Sequence, residues 1–169
     1  TNKITKVYGI LNGTCNYILS QMEKTKDSFK NVLKNAQKLG YAEPGNPKLD
    51  LNGYDALAKV KILSALAFNC KISKSQSLME GIEKIEATDF EIVEKLNLRI
   101  KLLGITEIIN NKIFERVHPC LVSRDSYIGN VTNVMNAVIL EGKPVGESVM
   151  QGEGAVSYTH LTLPTKNEV

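Results

Sequence analysis

Between Ala56 and Phe68 only Lys59, Lys61 and Ser64 are polar. The run is too long for a strand, so it reads as a helix, spanning about Gly53 to Asn69 and capped by Asn52 or the nearby Asp50. A helix apolar on most of its sides is expected to be buried on most of its sides. Such an element needs neighbours in layers around it, and two lysines within it require an explanation.

The rest of the 169 residues supplies those layers. Ile4, Val7, Tyr8 and Ile10 mark a strand over Lys3 to Ile10, closed by a turn with Gly9 and Gly13. Asn12 or Thr14 caps a helix over about Cys15 to Glu23. Ser28 caps another over Phe29 to Leu39, which Gly40 ends. Pro44, Gly45 and Pro47 make Tyr41 to Gly53 a loop. Further on, Ser77 to Ile85 reads as a short turn and strand, and Thr88 caps a helix over Asp89 to Leu96. Leu98–Ile109 and Ile113–Val122 read as strands joined at Asn110-Asn111-Lys112, where asparagine tolerates positive φ. Val131–Leu140 and Pro144–Met150 form a second hairpin turning at Glu141-Gly142-Lys143. Helices first and antiparallel strands later predict an α+β fold: a mixed, largely antiparallel sheet with helices packed on one face.

Composition narrows the function. A hydrophobic share of 43% allows a packed core, and a net charge of +3 with scattered basic residues calls for neither nucleic acid nor an anionic membrane. The apolar stretches are too short to cross a bilayer. Cys15, Cys70 and Cys120 are few and far apart, which fits small buried thiols better than disulfides. Without a CxxC pair, and with His118 and His160 far apart, no zinc site is expected. His118, between Val117 and Pro119, reads as structural. Asn133 and Asn136, near a strand start, are given no catalytic role. The chain begins at Thr1 and reads as an intracellular fragment of something longer.

Polar chemistry is densest between Tyr41 and Lys59. Asp55 and Lys59 are four residues apart and share a helix face. Desolvation would lower the amine's pKa and the carboxylate would raise it, a combination that tunes a lysine for proton transfer. Glu43 and Asp50, just ahead of the helix, can hold a cationic group such as a substrate amine. The plainer reading is that Asp55 favours the helix N-terminus, Lys59 snorkels to pair with it, and Glu43 and Asp50 solvate a loop. The turn Asn12-Gly13-Thr14 can bind a carboxylate at the helix N-terminus, or can be an ordinary strand-to-helix turn.

Several linked segments resemble one family. Gly9-Ile10-Leu11-Asn12-Gly13-Thr14-Cys15-Asn16-Tyr17-Ile18-Leu19 is the first. Ala36-Gln37, Gly40-Tyr41-Ala42-Glu43, Asp50, Gly53, Asp55, Ala56 and Lys59 follow. Then come Glu80-Gly81-Ile82, Ile100-Lys101-Leu102-Leu103-Gly104, Asn136-Ala137-Val138 and Gly152-Glu153-Gly154-Ala155. In order and spacing, residues 1–155 resemble the catalytic, substrate-binding domain of homoserine dehydrogenase. The resemblance implies interconversion of L-homoserine and L-aspartate 4-semialdehyde with NAD or NADP, in the biosynthesis of threonine, methionine and isoleucine. It implies Lys59 as the proton-transfer residue, oriented by Asp55. Glu43 and Asp50 would hold the amino acid's polar groups, with Thr14 and Tyr41 in the pocket. Gly13, Gly152 and Gly154 would lie at the cofactor. It further implies a cytoplasmic homodimer and a dinucleotide-binding domain ahead of Thr1.

The chain departs from the family in three places. The dinucleotide-binding domain is absent, so the isolated chain is expected neither to bind cofactor tightly nor to turn over homoserine. The loop from Glu43 to Asp50 is one residue longer, with Gly45-Asn46 where an aspartate is usual. Residues 156–169 replace a Pro-Thr-Ala segment and read as a non-native, poorly ordered tail. Two other readings stand beside this one: a non-catalytic dimerisation or regulatory module on the same fold, pairing through the Leu98–Met150 strands, and an amino-acid-binding domain of another oxidoreductase.

Overall fold

In the computed structural model, which describes residues 2–45 and 47–154, the first strand, β1 (Lys3–Ile10), lies inside a six-stranded sheet. The chain continues through α1 (Gly13–Thr25), α2 (Phe29–Lys38), a one-turn α3 (Lys48–Leu51) and α4 (Tyr54–Phe68). After these come β2 (Leu78–Met79), α5 (Ala87–Lys95), β3 (Leu98–Ile109), β4 (Lys112–Ser123), a short α6 (Tyr127–Asn130), β5 (Met135–Lys143) and β6 (Gly146–Glu153). The strand order is β2-β4-β3-β1-β5-β6. Only the β2–β4 pairing is parallel. The fold is α+β, as the order of elements predicts.

Side chains alternate across a strand, so β3 feeds two cores. Ile100 and Leu102 pack with Val117 against Ile18, Val32, Ala36, Val60 and Phe90 from the longer helices. Leu103 and Ile105 point the other way, to Ile10, Ala137, Ile139, Val131 and Ile128 of α6. The β3–β4 turn forms as expected, with Asn110 and Asn111 at φ 50 and 61°. Ser28 caps α2 and Asn12 caps α1.

The helix that most constrained the fold is less buried than its composition predicts. Only Ala56, Val60 and Ser64 of α4 are buried, a stripe one residue wide at i, i+4, i+8, while Ile62 and Leu66 are 50% and 75% exposed. A single sheet offers one face to a helix, and nothing among the described residues covers the opposite side of α4. Lys59 is therefore an exposed residue and not a desolvated one. Lys61 donates to the carbonyls of Ser73 and Ser75 at 3.0 and 2.9 Å and ties down the chain after α4. Neither Asn52 nor Asp50 caps α4. Gly53 does, at φ 86°, without a side-chain bond.

Four smaller expectations also change. The loop after α2 contains α3. The second hairpin turns at Pro144-Val145, because Glu141, Gly142 and Lys143 still pair within β5. Thr88 lies inside α5, whose start is closed by the Glu86 N–H donating to Asp89 Oδ2 at 2.8 Å. Of the three cysteines only Cys15 is buried; Cys70 is exposed and Cys120 intermediate. The proposed tail, residues 156–169, lies outside the described residues. Among the described residues no helix is long and apolar enough to cross a membrane.

Among the described residues one cation sits in the interior. Lys101 of β3 is 1% exposed and donates to Asn16 Oδ1 at 3.2 Å and to the Val131 carbonyl at 2.5 Å. Burial pulls its pKa down to about 8. It links α1 to the segment entering β5, the two sides of the site described next.

Candidate functional site

The site begins where β1 runs out. Leu11 follows the strand, and Asn12 takes an extended conformation so that its Oδ1 accepts the Cys15 N–H at 2.8 Å, capping α1. The other arm of the same amide turns outward. Asn12 Nδ2 donates to Asp50 Oδ1 at 2.8 Å and to Asp55 Oδ2 at 3.0 Å. Asp55 Oδ2 also accepts from Lys59 Nζ at 2.7 Å, and Lys59 Nζ donates to the Leu11 carbonyl at 3.0 Å. A single network thus joins β1, α1, α3 and α4.

Close packing sets these distances. A Cβ on Gly104 of β3 would fall 2.5 Å from Val60 Cγ2 and 2.8 Å from Leu11 Cδ1. Glycine at 104 lets α4 sit down on the sheet, which brings Lys59, one residue before Val60, to the Leu11 carbonyl. The turn after α2 closes the site from above. Thr14 Oγ1 donates to the Tyr41 carbonyl at 2.8 Å, and Gln37 Nε2 donates to the Glu43 carbonyl at 3.0 Å. The Tyr17 and Tyr41 rings lean on each other at 4.6 Å between centroids.

These elements surround a polar cavity of about 260 Å³. Lys59, Asp55, Glu43, Asp50, Thr14 and Tyr41 all line it, as do Gly13 and Gly154. Gly152 is not part of the lining: it lies on β6, opposite Asn136 of β5. A groove of similar size near Tyr17 and Val32 is bordered by only two charged side chains, Asp27 and Lys38, and brings together no comparable set of ionisable groups.

Burial raises the pKa of Asp50; the Asn12 hydrogen bond opposes this, the Asp55 and Glu43 charges add to it, and Lys59 opposes it. Buried Cys15, whose thiol donates to the Asp50 carbonyl at 3.2 Å, is pushed well above the usual thiol range, first by burial and then by Asp50 and Asp55. It is a packing group and not a nucleophile. Because ionised Asp50 is less favourable in the folded chain than in the unfolded one, the stability this group contributes is complete below its unfolded pKa and is lost as pH rises through the raised folded value. Asp50→Asn mimics the protonated acid and can still accept from Asn12. It is expected to melt a few degrees at most above wild type at pH 7 and to melt with it near pH 3, measured by circular dichroism.

Both earlier readings of Asp55 meet in one place: it lies in the first turn of α4 and its carboxylate holds Lys59. The sequence alone marked Asn12 as a cap but not as the hub between two carboxylates. The signal was present in the Asn12-Gly13-Thr14 turn, expected to hold a carboxylate through free N–H groups. It holds two of the chain's own, through the asparagine side chain. Leu11 and Asn136, which also borders the cavity, lie in segments that resemble the family, but the sequence assigned neither a role at the site. Among the described residues no group of three or more His, Cys, Asp or Glu is placed to hold a metal ion.

The arrangement is that of a domain that can seat a small polar molecule and present one amine to it. Comparison with known proteins places that domain in a family. The family model for homoserine dehydrogenase matches residues 1–159. The chain is 44% identical over 168 residues to the homoserine dehydrogenase of Neisseria gonorrhoeae, covering 99% of this chain and 37% of that protein. It is 47% identical over 154 residues to that of Helicobacter pylori, covering 91% and 36%. The crystal structure of a homoserine dehydrogenase from Thiobacillus denitrificans superposes with a TM-score of 0.89 at 44% identity, covering 92% of this chain and 36% of that one. The chain belongs to the homoserine dehydrogenase family, and it spans little more than a third of the length of these relatives.

Proposed function

We propose that this chain is the substrate-binding, catalytic part of an NAD(P)-dependent enzyme that interconverts L-homoserine and L-aspartate 4-semialdehyde. The observation that carries the reading is the state of Lys59. An ammonium has three N–H groups; Asp55 and the Leu11 carbonyl take two, leaving one for a ligand in the cavity. Support from two fixed acceptors aims that third position.

In the reductive direction Lys59 donates a proton to the aldehyde oxygen; in the oxidative direction its free amine takes the proton from the hydroxyl. Asp55 holds the amine in place, and Asn12 holds Asp55. Asp50 and Glu43 receive the α-ammonium of the amino acid, and Thr14 and Tyr41 shape the wall beside it. A nicotinamide, when bound, supplies or takes up the hydride. The residues present suit a flat ring: Gly154 borders the cavity without a side chain, and Gly13 lies at the opening turn of α1. Gly152 would contribute through the backbone of β6. The dinucleotide-binding domain, the homodimer and the cytoplasmic setting belong to the same proposal.

Calorimetry tests the substrate. The chain is expected to bind L-homoserine and to bind L-alanine and L-valine at least tenfold more weakly. Equal binding of all three would favour a generic amino-acid-binding domain.

A further inference from the structure

The cavity contains one polar group that the chemistry above leaves unused. Asn136 is the second residue of β5 and pairs with Gly152 of β6. Its amide lies against Gly154, where a Cβ would come within 2.8 Å of Nδ2 and 3.1 Å of Cγ. Its Oδ1 is buried, and among the described residues it is the single buried side-chain polar atom without a hydrogen-bond partner. An orphaned buried carbonyl oxygen is destabilising, and native structures retain few of them.

The surroundings say what is missing. Both protons of Asn12 Nδ2 are given to Asp50 and Asp55, and two of the three on Lys59 Nζ are given to Asp55 and Leu11. The ionisable groups that share the lining are otherwise the acceptors Glu43, Asp50 and Asp55, and the phenol of Tyr41. The side-chain donors left in the lining are the third N–H of Lys59 and the phenol of Tyr41, and neither bonds Asn136 Oδ1, so the position next to that oxygen is open to a donor from a bound molecule.

We propose that Asn136 is a ligand-binding residue whose Oδ1 accepts an N–H from the molecule bound in this cavity. For the identity of that molecule the inference rests on the homoserine reading. Two groups then carry the required N–H: the α-ammonium of the amino acid and the primary carboxamide of a nicotinamide. Gly154 serves this role by leaving the Asn136 amide its space.

The test uses the whole chain, with Asn136→Leu as a near-isosteric variant that lacks the carbonyl. L-homoserine and nicotinamide mononucleotide are titrated separately by calorimetry. The side-chain ¹⁵Nδ2 resonance of Asn136 in the wild type is followed by NMR during each titration. The variant is expected to melt at or above wild type, since an unpaired buried oxygen has been removed, and to bind one of the two ligands about tenfold more weakly. Weaker homoserine binding with a shifted resonance identifies the ammonium as the donor. The same result with the mononucleotide identifies the carboxamide. A resonance that stays put at saturation with both ligands, or a folded variant that binds both as wild type does, overturns the assignment while leaving the homoserine reading intact. Failure of the wild type to bind either ligand overturns both.

Discussion

Lys59→Ala is expected to lower kcat for homoserine oxidation by a factor of about 10²–10⁴, the range lost when a positioned proton-transfer group is removed. The measurement requires the chain to be supplied with a matching dinucleotide-binding half, wild type and variant side by side. The melting temperature should scarcely move. Lys59 and Asp55 keep 47% and 34% of their side chains exposed, and pairs this open to water contribute about 1 kcal/mol at most. Asp55 keeps its bond from Asn12 in the variant, so the carboxylate is not stranded. A large fall in kcat with an unchanged melt separates a proton-transfer role from a structural one. A change of less than about threefold would remove Lys59 from the chemistry.

Gly9→Ala is expected to damage the fold and not the chemistry directly. Gly9 pairs with Gly104 on one side and Val138 on the other. A Cβ there would lie 2.0 Å from the Ala137 carbonyl oxygen and 3.0 Å from the Val138 Cα. These are backbone atoms of β5 and cannot step aside as a side chain could. Strands β1 and β5 would have to separate, at a cost of about 3 kcal/mol or more, which in a chain of this size lowers the melting temperature by about 6–12 °C. Gly152→Ala is the control, since a Cβ there meets nothing within 4 Å. Its melt should lie within about a degree of wild type. Equal melts for the two variants would show that the β1–β5 contact is looser than the structure describes.

Much of the fold was legible because its signals are local. The alternation in Lys3–Ile10, the Ser28 and Asn12 caps and the Asn110-Asn111 turn each depend on the φ/ψ or hydrogen-bonding preferences of a few adjacent residues, and each formed as expected. Long-range packing was not legible in the same way. The apolar run of α4 predicted burial on most sides, yet one sheet covers one stripe of it. Asp50 looked like a cap for the helix that follows, and it is drawn back to Asn12, 38 residues earlier. The second hairpin turns later than its glycine suggested, since Gly142 pairs with Gly146 within the ladder.

The site divides along the same line. The sequence by itself determined which groups were available: a lysine and a carboxylate one helical turn apart, acids in a proline- and glycine-rich loop, and an asparagine at a helix start. Helical geometry alone brings Asp55 to Lys59. Only the tertiary structure decided that Asn12 would bridge both carboxylates, that the Leu11 carbonyl would accept a hydrogen bond from Lys59, and that Asn136 would border the same cavity with an unpaired oxygen. The physical reason is that these contacts join segments far apart in the chain. Their distances are set by how closely α4 lies on β3 at Gly104 and how β5 lies beside β1 at Gly9, and no preference of neighbouring residues specifies either.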